Sequence, residues 1–394
     1  MKSSLGKIAI GFVLGSVVAG GVATAAGTFS GSNVVKACVD NKTNAIYATS
    51  TGVCPATRTL VTLGNQSTTT PTNTTATASA ATDLPSIKSV VAKVSPAVVT
   101  VNVTTSSGGD TGSGSILKSN SSTSWIITNN HVIDAAAGGA GTISVELDNG
   151  DDVDATIVGR DTNYDLAVLK INRGNLPVLA LGDSSSLAIG DSVIAFGSPL
   201  GLDHTVTAGI VSSLNRPVTT GTTGTESYVD AIQTDAAINP GNSGGALTDA
   251  MGRIVGVNSA IASLGSSSVS SQSGSIGLGF AIPINEAMRV FNEIVATGHS
   301  TRPVLGVYFD NTYTGKGAKI LKLTTGATPD AAEKAGIVAG SIITAIDGTK
   351  ITDQVSAIVK IRSYAPGATV SVTVTLPSGG SKSYTVVLGS AVSN

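Results

Sequence analysis

Nine consecutive residues, Asn239-Pro240-Gly241-Asn242-Ser243-Gly244-Gly245-Ala246-Leu247, constrain this chain more than any other feature. A serine hydroxyl is a weak nucleophile at its own pKa. It needs a base to take its proton and fixed donors to hold the oxyanion that forms. The glycines around Ser243 let the backbone turn tightly, so that the amides of Gly241 and Ser243 can point at one spot. Upstream lie Thr128-Asn129-Asn130-His131-Val132-Ile133 and Asp165-Leu166-Ala167-Val168-Leu169, giving the chain order His, Asp, Ser.

The base follows by elimination, because the chain has only three histidines. His299 sits in a linker after a helical pattern and His204 in a loop with Gly201 and Asp203. His131 directly follows a strand-like run. The acid that orients a base must be buried and fixed. Asp165 leads straight into the apolar run Leu166 to Leu169. Asp134, Asp148, Asp151, Asp152, Asp154 and Asp161 stand in turns, where solvated acids are expected, and Asp235 reads as a turn cap.

From Val98 onward the chain reads as short strands between Gly, Asn, Asp and Ser turns. The runs are Val98 to Val103, Trp125 to Thr128, Ile143 to Leu147, Leu166 to Ile171, Val193 to Phe196, Ile254 to Asn258 and Gly277 to Ile282. Aromatic residues make up 4% and charged residues 12%, which suits a turn-rich β protein. A net charge of −2 argues against a nucleic-acid footprint. Neither a phosphate-binding Gly-x-x-x-x-Gly-Lys-Ser/Thr loop nor a metal-ligand constellation is present in the sequence, so no cofactor is expected. Ile284, Ala287, Met288, Phe291, Ile294 and Val295 recur at helical spacing and stop before Gly298. Ile87, Val90, Val91 and Val94 form a shorter amphipathic pattern, which packs either on its own barrel or on a neighbouring subunit.

Taken with Ala195-Phe196-Gly197-Ser198-Pro199-Leu200-Gly201-Leu202, Thr205 to Ser212 and Gln233-Thr234-Asp235-Ala236-Ala237-Ile238-Asn239, the motifs resemble a trypsin-like serine protease of the HtrA/Deg type. The resemblance runs from about Leu84 to the C-terminus. It implies an all-β dominated fold: a chymotrypsin-like double β-barrel followed by an α+β PDZ domain. It also implies a triad of His131, Asp165 and Ser243, with an oxyanion hole from Gly241, Asn242 and Ser243. The specificity pocket would have Ala237 as an uncharged floor and Asn258, Ser259, Ala260 and Ile261 as a wall. Cleavage is then expected after small or medium apolar residues. Leu305, Gly306 and Val307 would hold a peptide carboxylate, beside a strand from Val307 to Asp310 and a helix from Val355 to Arg362. The region from Thr219 to Tyr228 corresponds to a loop that relays regulatory contacts, and the family typically assembles as homotrimers.

The N-terminus reads as an export segment, with Lys2 and Lys7 before an uncharged stretch from Ile8 to Ala26. Ala23-Thr24-Ala25 fits a cleavage site, while the length of the stretch also suits a membrane anchor. Cys38 and Cys54, in an exported chain, are expected to close one small disulfide loop. Gln66 to Thr82 reads as a flexible Ser/Thr-rich linker. The partition expected is 1–26 signal peptide or anchor, 27–64 two-cysteine module, 65–83 linker, 84–300 protease domain and 301–394 PDZ domain. The function expected is an exported, ATP-independent serine endopeptidase acting on unfolded or damaged proteins. The alternatives are a PDZ-regulated sensor protease cutting one membrane partner, and a chaperone or scaffold with a silent protease site.

Overall fold

The computed structural model describes residues 35–43, 46–49, 52–63, 85–198, 205–220, 227–260, 277–324 and 330–393. The expected export segment and linker, His204, Ile261 and the middle of the Thr219 to Tyr228 loop lie outside the described residues. The chain divides into two units, Met1–Ala81 and Thr82–Asn394.

In the first unit, β1 (Val35–Asp40) pairs antiparallel with both β2 (Ile46–Ala48) and β3 (Arg58–Leu63). Cys38 and Cys54, separated by 16 positions in sequence, are joined in a disulfide with Cα atoms 5.7 Å apart. A loop of that length stabilises a small unit by about 3 kcal/mol.

The second unit begins with helix α1 (Ile87–Val94), capped by the Ser86 hydroxyl accepting from the Ser89 amide at 3.2 Å. Val90 and Val94 are buried against Gly252 of the same unit, while Ile87 stays exposed. The strands β4 (Val98–Thr105), β5 (Gly108–Ser119), β6 (Ser124–Thr128), β7 (Gly141–Glu146), β8 (Asp152–Asp161) and β9 (Leu166–Ile171) close a barrel in the order β4-β5-β6-β9-β8-β7. Strand β9 is buried on both faces. Ala167, Leu169 and Ile171 point into the barrel, and Leu166 and Val168 join the core shared with the second barrel. Short helix α2 (Asn130–Ile133) follows β6.

The second barrel is built from β10 (Ala180–Leu181), β11 (Ser192–Gly197), β12 (Thr205–Thr220), β13 (Ser227–Thr234), β14 (Ala246–Asp249), β15 (Arg253–Ser259) and β16 (Gly279–Pro283). Pairing of β15 with β16 closes the sheet β15-β14-β11-β12-β13-β16, and β10 adds to β15 at its edge. Helix α3 (Ile284–Thr297) buries Ala287, Val290, Phe291 and Ile294 in the shared core and ends at Gly298 in the left-handed conformation.

The C-terminal domain opens with β17 (Ser300–Val304) and β18 (Val307–Phe309), continues through β19 (Ala318–Leu323), helix α4 (Ala331–Lys334), β20 (Ile342–Ile346) and β21 (Thr349–Lys350), then helix α5 (Gln354–Arg362), β22 (Thr369–Thr375), β23 (Ser381–Val387) and β24 (Gly389–Ser393). Its sheet runs β18-β19-β20-β22-β23, and β24 returns to pair with β17. Ile320, Ile343, Ile346, Val372, Val374 and Val386 fill its core. The molecule is dominated by strands, with two barrels followed by an α+β domain.

Candidate active site

Histidine and aspartate come from the first barrel. His131 lies in α2, just past the end of β6, and Asp165 immediately precedes β9. Strands β6 and β9 are neighbours, with Thr128 opposite Ala167, so the two side chains emerge at one barrel end. The Asp165 carboxylate accepts from His131 Nδ1 at 2.8 Å through Oδ2, and from the His131 amide at 3.0 Å through Oδ1. This fixes the neutral tautomer with the proton on Nδ1, leaving Nε2 as an acceptor. Asp165 is 2% exposed, whereas the His131 side chain is 23% exposed, so the acid is shielded while the base stays reachable. Asp165 holds a left-handed backbone with φ 54°, and Asn129 Nδ2 donates to its carbonyl at 2.9 Å. A non-glycine residue in that conformation is held there by its surroundings.

The serine arrives on the second barrel. The Asn242 amide donates to the Asn239 carbonyl at 2.9 Å, closing a turn with Pro240 and Gly241 at its corners and Gly241 at φ 95°. Pro followed by a positive-φ glycine defines a type II turn, and a type I turn would reverse the peptide between them. Among the described residues, the Gly241 and Ser243 amides donate to no protein acceptor. The Asn242 amide is engaged in the turn, so of the three residues expected to form the oxyanion hole only two offer a free amide. Among the described residues Asn242 Oδ1 is buried without a partner, and its Nδ2 reaches the Ala237 carbonyl at 3.4 Å.

Ser243 Oγ accepts from the Ala260 amide at 3.0 Å. Among the described residues it makes no hydrogen bond to His131. The first barrel braces this loop through Ser113, whose amide donates to the Ser243 carbonyl at 2.8 Å and whose hydroxyl donates to the Gly241 carbonyl at 2.6 Å. Thr128 Oγ1 donates in turn to the Ser113 carbonyl at 2.7 Å. Sequence reasoning missed Ser113, and took Thr128 and Asn129 only as flanks of His131 without a role. The run Gly112-Ser113-Gly114-Ser115 carries no strand propensity, and its only signal was an unbroken series of small residues.

The expected pocket residues separate. Ala237 is half-buried and Ala260 lies at the serine. Ser259 Oγ turns to Asp165 Oδ2 at 3.5 Å. Asn258 is fully buried, and its Nδ2 donates to the Phe196 and Ala246 carbonyls at 3.0 and 3.1 Å. Asp161 departs from expectation. It is fully buried rather than solvated, accepting from the Asn163 and Tyr164 amides and from Ser300 Oγ. Asp235, expected to cap its own turn, instead accepts at Oδ1 from the Ile210 amide of β12 at 2.7 Å. His299 is exposed and away from these residues.

In the C-terminal domain a groove of about 380 Å³ is lined by Leu305, Gly306, Val307, Ile358, Arg302 and Arg362, among others. The Leu305 and Gly306 amides have no acceptor among the described residues. Among the described residues no cluster of acids, histidines or cysteines could hold a metal, and no helix is long and apolar enough to cross a membrane.

Residues 112–257 match the family of trypsin-like peptidase domains, which agrees with two barrels meeting at a histidine, an aspartate and a serine. The kinship extends further along the chain. The serine protease PepD of Mycobacterium tuberculosis is 45% identical over 314 residues, covering 78% of this chain and 66% of PepD. A probable periplasmic serine protease of the do/HhoA-like kind from Haemophilus influenzae is 38% identical, covering 66% of this chain and 54% of that protein. The chain thus spans between about half and two thirds of these relatives' lengths. The solved HtrA-type protease AlgW with a tripeptide is 35% identical, with a TM-score of 0.58, and the match covers 78% of this chain and 98% of that one. This chain belongs to the HtrA-type serine proteases.

Proposed function

We propose that Ser243, His131 and Asp165 act as one triad that hydrolyses unfolded or damaged polypeptides outside the cytoplasm, without ATP, and that the C-terminal domain is a PDZ domain that regulates them. The observation that carries this reading is the pairing of His131 with Asp165 beside a serine whose neighbouring Gly241 and Ser243 amides are unused. Ser243 Oγ moves from the Ala260 amide to His131 Nε2, which takes its proton as Oγ attacks the scissile carbonyl. The carbonyl oxygen becomes an oxyanion between the Gly241 and Ser243 amides. Asp165 stays ionised and stabilises the imidazolium. His131 then protonates the leaving amine, and a water deprotonated by His131 releases the acyl group from Ser243.

Ala237 and the wall near Ala260 would accept a small apolar side chain before the scissile bond. Leu305, Gly306 and Val307 would take the carboxylate of a peptide C-terminus, with the peptide added beside β18. The remaining assignments rest on sequence: 1–26 as export segment or anchor, 27–64 as module, 65–83 as tether, and assembly into a homotrimer. Relatives named as periplasmic support an extracytoplasmic location. That Ser243 is bonded away from His131 favours a regulated enzyme over a constitutively active one.

Labelling the full chain with a fluorophosphonate tests the nucleophile and its activation together. Wild type should be labelled and Ser243→Ala should not. Loss of casein cleavage in that variant should be about a million-fold, and near-normal turnover would discard the triad. Mass spectrometry of the casein products should find cuts after valine and alanine. A majority after lysine or arginine would refute the pocket assignment.

A further inference from the structure

The turn that carries Asp165 is gripped from the C-terminal domain. Asp161 Oδ1 accepts from the amides of Asn163 at 2.8 Å and Tyr164 at 3.2 Å, which shapes the link between β8 and β9. Arg362, the last residue of α5, donates from Nη1 to the Asn163 carbonyl at 2.8 Å and from Nη2 to Asn163 Oδ1 at 3.1 Å. Tyr164 is fully buried and returns its hydroxyl to the Arg362 carbonyl at 3.0 Å. The guanidinium also lies over the Tyr228 ring, 5.1 Å from its centroid, and the Tyr228 amide donates to the Asn163 carbonyl.

Arg362 is thus two-sided, because it also lines the C-terminal groove together with Arg302. Burial, above all, disfavours its charge, and the nearby Arg302 adds repulsion. A guanidinium offers five donors in a fixed fork, and the contacts to Asn163 occupy two nitrogens. A carboxylate in the groove can therefore bind the same group without displacing Asn163, while cancelling the repulsion between the two arginines.

We propose that Arg362 is a positioning residue that relays occupancy of the C-terminal groove by a peptide carboxylate to the Asp161–Asp165 turn. The inference rests on the proposed reading of that groove as a site for peptide C-termini. Occupancy strengthens the hold on Asn163, two residues before an Asp165 whose left-handed backbone depends on its surroundings. Better placement of Asp165 stabilises the imidazolium that forms in the transition state, so the gain falls on kcat.

The test measures cleavage of a reporter peptide by the full chain, with and without a second peptide ending in valine. That peptide is used with a free carboxylate and as its C-terminal amide. In wild type the free acid raises kcat and the amide does not. Arg362→Ala lowers unstimulated kcat about ten-fold, the size expected for a lost hydrogen bond to a charged group. It leaves KM unchanged and is no longer stimulated. Arg362→Lys, which keeps the charge but loses the fork, falls between the two in kcat. The acid limb of the kcat/KM profile moves to lower pH in both variants, an effect that mere loosening of the fold would not produce. In an Asn163→Ala background, Arg362→Ala costs less than in wild type. Stimulation of Arg362→Ala to the wild-type extent overturns the relay and leaves the triad standing. So does wild type that binds the free acid, by fluorescence polarisation, with no change in kcat. Failure of wild type to react with a fluorophosphonate overturns both.

Discussion

The two barrels supply the two halves of the site by different means. In the first, side chains hold the parts: the Asp165 carboxylate holds His131 and Asn129 donates to the Asp165 carbonyl, while Ser259 reaches Asp165 from the second barrel. In the second, the backbone does most of the holding, with the Ser113 hydroxyl on the Gly241 carbonyl as a side-chain brace. The Gly244 amide donates to the Asn258 carbonyl at 2.9 Å, the Gly245 amide to Asn242 at 3.0 Å, and the Ser243 carbonyl accepts from Ser113 at 2.8 Å. A Cβ on Gly244 would lie 2.1 Å from the Ser113 carbonyl oxygen. The acid–base half is therefore sensitive to the identity of a few polar groups. The nucleophile half is sensitive to added volume at positions that carry no chemistry.

The sharpest way to break this comparison is within the first barrel. Asp165→Asn should preserve the melting temperature and lower kcat about ten-thousand-fold, since the amide favours the wrong histidine tautomer. Asp161→Asn should do the reverse. Its carboxylate ties the turn to Ser300, so stability should fall by about 1–3 kcal/mol while turnover changes little. Reporter cleavage alongside thermal melts reads both. A larger rate loss for Asp161→Asn would transfer the orienting role to that residue.

In the second barrel, Gly244→Ala tests whether volume alone disables the nucleophile. The residue has φ 85° and no space for a Cβ, so the loop must shift. Labelling of Ser243 by fluorophosphonate should slow by roughly a hundred-fold or more, and stability should fall by about 3 kcal/mol. The matched change in the first barrel is Asn129→Ala, which removes one donor to the Asp165 carbonyl. About ten-fold in kcat is expected. Equal effects of the two changes would erase the distinction between the halves.

The sequence exposed the chemistry more readily than its supports. Leu166 to Ile171 and the helix after Ile284 were legible because apolar periodicity reports burial. Strand β5 was not, since its first half is Gly, Asp, Thr and Ser and its pairing comes from neighbours rather than propensity. The burial of Asp161 was invisible because Ser300 lies 139 residues further along the chain. The Ala260 amide on Ser243 was equally hidden, since a backbone donor leaves no trace in residue identity. The two-cysteine module was the opposite case. Spacing and export alone pointed to the disulfide, because in so short a unit little else can hold the strands together.

The smallest effect on turnover is expected where the second barrel meets the C-terminal domain, and there the comparison extends to buried acids. Asp161 and Asp165 have their oxygens met by donors. Glu286 on α3 has an Oε1 that is shielded and, among the described residues, without a partner, and burial, followed by the nearby Asp230, pushes its pKa up to about 8. Arg289 and Arg362 oppose that rise. Asp230 on β13 is itself raised to about 6 by burial, with Lys360 opposing. A carboxyl whose folded pKa exceeds its unfolded value binds more protons in the folded state, so stability falls as pH rises between the two values. For Glu286 that window runs from its ordinary value of 4.5 to about 8. Glu286→Gln cannot ionise and should escape the penalty. It should match wild type near pH 4.5, where the glutamate is still protonated in the fold. Its advantage should grow to on the order of 2 kcal/mol above pH 8, after allowing for partial exposure and for coupling to Asp230. In Tm that corresponds to roughly 5 °C, with kcat unchanged because Glu286 touches no member of the triad. Melts of the two proteins across that pH range decide it. A difference that is flat with pH would mean that Glu286 is already ionised in the fold, and that its neighbours Arg289 and Arg362 outweigh its burial.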